Sequence, residues 1–129
     1  MKVHLRRILL LLLLAGFNAF LSQRAWAQVP PVPSGLTATP GNGVVTLQWN
    51  PSSGATLYRI ERSTSQSSGY SLVTEYAGTS ITNAGLNNGT TYWFRVRASN
   101  SSGNSAYCTP VSAMPRIPAP VNLQAQPGI

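Results

Sequence analysis

The sequence predicts an all-β chain, a seven-stranded antiparallel β-sandwich. Three observations carry that prediction. Thr91–Asn100 alternates strictly, with Tyr92, Phe94, Val96 and Ala98 on one face and Trp93, Arg95, Arg97 and Ser99 on the other; a period of two is that of a half-buried strand. Shorter runs of the same kind recur at intervals of about 8–12 residues, separated by turn-forming residues, which is the spacing of a sandwich. After residue 27 no stretch keeps a helical period over about ten residues.

The first residues stand apart from this pattern. Lys2, Arg6 and Arg7 precede an unbroken apolar run over Ile8–Leu14, extended loosely to Leu21, and Ala25-Trp26-Ala27 puts small residues at the −3 and −1 positions before Gln28. Basic start, short apolar run and A-x-A site make residues 1–27 an expected secretory signal peptide. The other reading is an uncleaved membrane anchor, but a spanning helix needs roughly 20 apolar residues, and this run is shorter and holds Asn18. No Cys follows the site, so lipid anchoring is not expected.

Cleavage there changes the charge balance. Lys2, Arg6, Arg7, Arg24 and the only histidine, His4, leave; Arg59, Arg62, Arg95, Arg97 and Arg116 remain against Glu61 and Glu75, five positive against two negative, a net +3. That is thin for nucleic-acid binding, which needs a dense basic patch. The mature chain has no His, no Asp, no Lys and one Cys, Cys108. Such an inventory cannot assemble an N/S metal site, a Ser-His-Asp triad or a Cys-His pair. Glu61 and Glu75 could in principle form a glycosidase pair, but one lies mid-strand among arginines and the other at a strand end. No enzyme activity and no cofactor are expected.

The elements follow in order. Gln28–Val32 begins a lead-in rich in proline, extended and not helical. Gly35–Thr39 reads as a short strand with Leu36 and Ala38 on one face, and Pro40-Gly41-Asn42-Gly43 as a turn. Val44–Trp49 puts Val45, Leu47 and Trp49 on one side. Thr56–Ser63 pairs Tyr58 with Ile60 on one face and Arg59 with Glu61 on the other. Ser71–Tyr76 is a weaker strand, and Ser80–Thr82 a short one around Ile81. Thr91–Asn100 is the clearest. Ser101–Ser105 is expected to be a hairpin loop, and Tyr107–Ala113 the last strand, an edge or a bulged one because Pro110 lacks an N–H. Leu36, Leu47, Trp49, Tyr58, Ile60, Leu86, Tyr92, Phe94, Val96 and Ala98 are the expected core.

One internal repeat is visible. Pro33, Leu36, Ala38, Pro40 and Gly41 recur as Pro120, Leu123, Ala125, Pro127 and Gly128 at a constant offset, which also carries Pro31 to Pro118. The expected organisation is therefore a domain over 33–114, a stiff Pro-rich linker over 115–119, and at 120–129 the start of a second, truncated repeat, as in a fragment of a tandem array.

These residues together resemble a fibronectin type III domain. The resemblance rests on Pro33–Ala38 as a Pro-x-x-Leu-x-Ala strand, Leu47-Gln48-Trp49 with Pro51 after it, and Tyr58-Arg59-Ile60. It continues in Leu86, Gly89 and Tyr92 as a Leu-x-x-Gly-x-x-Tyr turn, in Val96, Ala98 and Asn100, and in Gly103 with Ser105. It implies an immunoglobulin-like sandwich without a disulfide, with apolar Trp49 and Phe94 filling the core. It also implies a tyrosine corner, with the Tyr92 hydroxyl bonded to backbone just upstream. The Ser99–Ala106 loop, where some family members carry an Arg-Gly-Asp tripeptide, reads SNSSGNSA, so adhesion by that route is not expected.

Trp93, Arg95, Arg97 and Arg59 form the one expected binding face, an aromatic platform with arginines suited to sugars or another protein. The competing expectation is cross-strand pairing, with Glu61 opposite an arginine and an arginine stem over Trp93. Asn88-Gly89-Thr90 and Asn100-Ser101-Ser102 fit the N-glycosylation pattern. Cys108 is an odd cysteine in an exported chain, expected to stay idle rather than link two monomers. The expected function is a secreted, non-catalytic module, a spacer or protein-interaction unit in a tandem protein. The alternative is an accessory module of a secreted polysaccharide-degrading enzyme with weak glycan contact. Partners would be other protein domains or extracellular and cell-surface glycans, with no nucleic acid and, after signal cleavage, no membrane.

Overall fold

The computed structural model describes residues 28–120. The expected signal peptide and all but the first residue of the expected second repeat lie outside them. The strands are β1 (Thr37–Gly41), β2 (Val44–Gln48), β3 (Leu57–Ser63), β4 (Ser71–Tyr76), β5 (Ser80–Asn83), β6 (Tyr92–Asn100), β7 (Gly103–Asn104) and β8 (Val111–Ala113). They form two antiparallel sheets. One has the order β1-β2-β5; the other runs β4-β3-β6-β7, with β8 also paired to β6.

The first strand begins and ends later than expected, since Pro40 and Gly41 still pair with Val45 and Val44. β1 is an edge strand, where the missing N–H of Pro40 costs no ladder bond. The turn contracts to Asn42-Gly43, with Gly43 at φ 65°, a conformation that glycine adopts without strain.

The strand count is eight, not seven, and the correction lies in the last segment. Ser99 pairs with Asn104 and Asn100 with Gly103, so the hairpin turn is only Ser101-Ser102 rather than a loop to Ser105. Further along, Tyr92, Trp93 and Phe94 pair with Ala113, Ser112 and Val111, a register two residues out of step with the first. The slip occurs in single steps. Ser105 N–H donates to the Ala98 carbonyl, and Cys108 N–H to the Val96 carbonyl. One extra residue therefore sits between Ser105 and Cys108, and another between Cys108 and Val111. Two β-bulges break the expected Tyr107–Ala113 strand, and Pro110, which cannot donate, lies in the second.

Side chains replace the backbone acceptors that these bulges remove. Ala98 N–H donates to Ser105 Oγ at 2.9 Å, and Val96 N–H to Cys108 Sγ at 3.4 Å. The central strand β6 thus keeps these two backbone donors satisfied, as a buried backbone N–H must be.

The core lies between the sheets. Val45, Leu47 and Trp49 face Tyr58, Ile60, Tyr92, Phe94, Val96 and Ala98, with Leu86 and Ala113 closing one end, and all are buried. Leu36 is only partly buried at the rim. Trp49 and Tyr58 meet edge to face at 5.5 Å between centroids. Two tyrosines carry polar tips out of this core. Tyr92 Oη accepts the Asn87 N–H at 3.0 Å, which is the corner, and Tyr58 Oη accepts the Ser52 N–H at 2.8 Å. On the inner face at one end, Arg62 bridges the sheets, donating to Asn83 Oδ1 at 2.8 Å above the Tyr92 ring.

Candidate functional site

The outer face of the larger sheet carries most of the charge of the described residues. β3 and β6 pair so that Arg59 lies opposite Arg97, Glu61 opposite Arg95, and Ser63 opposite Trp93. Arg59 and Arg95 are thereby brought onto Glu61, which is only 7% exposed, while Arg97 has no contact with that carboxylate and its buried Nε has no hydrogen-bond partner among the described residues.

Both carboxylate oxygens of Glu61 are occupied. Oε1 accepts from Arg59 Nε at 3.0 Å and from the Tyr107 hydroxyl at 2.7 Å. Oε2 accepts from Arg95 Nε at 2.9 Å and Nη2 at 2.7 Å, the fork geometry that makes arginine–carboxylate pairs strong. Burial alone would raise the Glu61 pKa. The bonds from Tyr107, Arg95 and Arg59 outweigh it and hold the carboxyl at about 2. A buried charge with this many donors is stable as an ion, so Glu61 carries no proton to give in neutral solution.

Two tyrosines complete the cluster. The Arg95 guanidinium carbon lies 4.0 Å from the ring centroid of Tyr70 and 4.0 Å from that of Tyr107. Arg97 lies 4.9 Å from Tyr107. These are cation–π distances. Tyr70 is anchored from the loop before β4, where its hydroxyl donates to the Gln66 carbonyl at 2.7 Å. Burial raises the pKa of Tyr70, and burial with the bond to Glu61 raises that of Tyr107; both stay neutral. Neither tyrosine figures among the sequence-derived candidates. Tyr107 reaches the outer face because of the first bulge; continuous alternation from Ser105 would turn it inward. Pro110 marks the second bulge in the sequence, but no comparable residue marks the first.

Trp93 shares this face, half-buried, opposite Ser63 and Ser112. Among the described residues the arginines stack on Tyr70, Tyr92 and Tyr107, not on Trp93. The cross-strand ion pair forms, but the arginine cover falls on tyrosines.

The remaining polar features are structural in geometry. Asn88 accepts from Gly43 N–H at 2.8 Å and donates to Asn42 Oδ1 at 2.8 Å. Asn100 Nδ2 donates to the Gln28 carbonyl at 2.7 Å and the Gly54 carbonyl at 3.2 Å, while its Oδ1 accepts from Ser102 N–H. Both side chains are therefore engaged in holding loops. Cys108 is half-buried, and burial raises its thiol pKa. A shallow open cleft of about 300 Å³ on the smaller sheet is lined by Gly35, Thr37, Gln48, Trp49, Asn50, Thr79 and Ser80, amides and hydroxyls without an ionisable group. Among the described residues no three His, Cys, Asp or Glu side chains group as a metal site would require.

Comparison with known proteins agrees with this architecture. The sequence model described as "Fibronectin type III domain" matches residues 31–114. An amylopullulanase of Thermoanaerobacterium saccharolyticum is 37% identical over 78 residues, which cover 60% of this chain and 6% of that protein. Chitinase A1 of Niallia circulans is 37% identical over 112 residues, covering 78% of this chain and 14% of that protein. The chain thus spans a small part of the curated relatives it matches. Among solved structures, the crystal structure of FN3tt superposes with a TM-score of 0.62 at 27% identity, covering 69% of this chain and 97% of that one. A Fn3-like protein from Clostridium thermocellum shares the fold, with a TM-score of 0.55 at 24% identity over 74% of this chain and 97% of its own. With its two-sheet sandwich, tyrosine corner and family match over residues 31–114, this chain belongs to the fibronectin type III family.

Proposed function

We propose that the chain is a non-catalytic fibronectin type III module, a spacer within an exported multidomain enzyme of polysaccharide breakdown. The observation that carries this reading is the pair of relatives named amylopullulanase and chitinase, in which the matched stretch is 6% and 14% of a much longer protein. The outer face supports the spacer role over a binding role. Its only buried carboxylate is saturated by Arg59, Arg95 and Tyr107, and Arg95 is stacked on two tyrosines. A partner would have to break those contacts to use them. Export is supported by the A-x-A pattern of residues 25–27. No helix among the described residues is long and apolar enough to cross a membrane.

A second reading has one observation in its favour. Trp93 is half-buried on this face with no arginine over its ring, and the exposed part of an indole can stack on a sugar. Sedimentation of the chain with insoluble chitin and starch separates the two. The spacer role predicts that it stays in the supernatant, and that deleting the module from its parent protein leaves turnover of a short soluble oligosaccharide unchanged. Retention on either polymer that Trp93→Ala abolishes would replace the spacer reading with direct glycan contact.

A further inference from the structure

The two poles of the sandwich are built differently from a simple spacer with free ends. At one pole, Pro115 is fully buried and its carbonyl accepts the Gly89 N–H at 2.9 Å, while Arg116 N–H donates to the Gly41 carbonyl at 3.0 Å. The chain leaving β8 is thus bonded into the Gly41–Gly43 turn and the Leu86–Gly89 turn, which Asn88 already ties to each other. At the other pole, the lead-in is equally fixed. Pro30 and Pro33 are buried, and the Gln28 carbonyl accepts from Asn100 of the β6–β7 hairpin.

The repeat register relates these two poles. The offset that carries Pro31 to Pro118 and Pro33 to Pro120 carries Pro30 to Ile117 and Gln28 to Pro115. A following module with the same lead-in would therefore bury Ile117 as this one buries Pro30. It would also bond the Pro115 carbonyl as Asn100 bonds that of Gln28. Ile117 is 70% exposed here, the most exposed large apolar side chain of the described residues. The Pro115 carbonyl has two lone pairs, of which Gly89 uses one. This module holds Pro115 and Arg116, and the next would hold Pro115 and Ile117. No free residue is left between them.

We infer that the Pro115–Pro120 segment is a shared, inflexible junction, and that the pole formed by Gly41–Gly43, Leu86–Gly89 and Pro115 is an interface for the next fibronectin type III module of the same chain. The inference rests on the tandem-repeat reading. Prolines at 115, 118 and 120 stiffen the segment further. The result is a rod in which orientation passes from one module to the next through one strip of backbone.

The test is nitrogen-15 relaxation on the natural two-module segment, from Gln28 to the end of the second repeat in the parent protein. It is repeated with Gly-Ser-Gly-Ser inserted between Arg116 and Ile117. The expected result is one common tumbling time for both modules and slow amide exchange at Arg116, with the common tumbling lost on insertion. Two folded modules with separate tumbling times before insertion would overturn the inference and leave the repeat intact. A continuation that does not fold as a second β-sandwich would overturn the repeat reading, and the inference with it.

Discussion

The Tyr107 hydroxyl donates to Glu61 Oε1 at 2.7 Å across 46 residues of sequence. This bond joins the bulged last segment to the centre of β3, on the face opposite the core. It makes Glu61 a stability element with a defined pH dependence. Folding lowers its pKa from 4.5 to about 2, so as pH falls the unfolded chain takes up the proton first. The contribution is complete above pH 4.5 and is lost as pH falls from there to about 2. Its full size is up to about 3 kcal/mol, reduced because the arginine partners are partly exposed to solvent. Urea melts of the wild type should weaken over that window, and those of Glu61→Gln should stay flat through it. A parallel decline in both would remove Glu61 as the cause.

Removing the tyrosine should act through the same carboxylate. In Tyr107→Phe the Glu61 titration followed by carboxyl NMR should move to higher pH, because one of its donors is gone. An unmoved midpoint would mean that the arginines alone set it.

The two buried tyrosine hydroxyls should differ in cost. Tyr92→Phe leaves the Asn87 N–H without its acceptor on an exposed turn, so about 1 kcal/mol of stability should go. Tyr58→Phe strands the Ser52 N–H, and Ser52 is only 9% exposed, so its cost should be larger, toward about 2–3 kcal/mol. Thermal unfolding of both variants gives the order, and equal losses would contradict it.

Asn88 and Asn100 should behave as loop clamps. Asn100→Ala removes donors to Gln28 and Gly54, and Asn88→Ala removes contacts to Asn42 and Gly43. Each should lower stability by about 1–2 kcal/mol. Amide exchange should quicken at Ser102 in the first variant and at Gly43 in the second, and unchanged exchange there would refute the clamp.

Cys108 should react slowly with alkylating reagents. Its thiol is half-buried, accepts the Val96 N–H and has a raised pKa, and the thiolate is the reactive form. Labelling should accelerate sharply in denaturant and leave a monomer on non-reducing gels. Rapid native labelling would show an open thiol.

Much of the molecule was legible because β-structure writes itself with a short period. The alternation in Tyr92–Asn100 separates buried from exposed side chains without any knowledge of partners. Together with Leu86, Gly89 and the turn residues it is enough to name the family. The bulged segment was not legible in this way. Each bulge costs one residue of phase, and no local pattern says where a hydroxyl or a thiol will stand in for a carbonyl. The sequence pattern therefore shows the expected seventh strand as one piece, and nothing in it places Tyr107 beside Arg95.

By itself, then, the chain's order of residues determined the sandwich, its family and which strands carry charge outward. Those properties follow from local periodicity and turn chemistry, which act over a few residues. Only the tertiary structure decided how the charged face is packed. Glu61, Arg59, Arg95, Tyr70 and Tyr107 come from four separate segments, and their mutual saturation depends on strand register and on two bulges. Distances of 2.7–3.0 Å around one carboxylate arise from that packing. Of the arginine stripe, Arg59 and Arg95 are thereby engaged by their own neighbours, while Arg97 stacks on Tyr107 and keeps a buried Nε without a hydrogen-bond partner among the described residues.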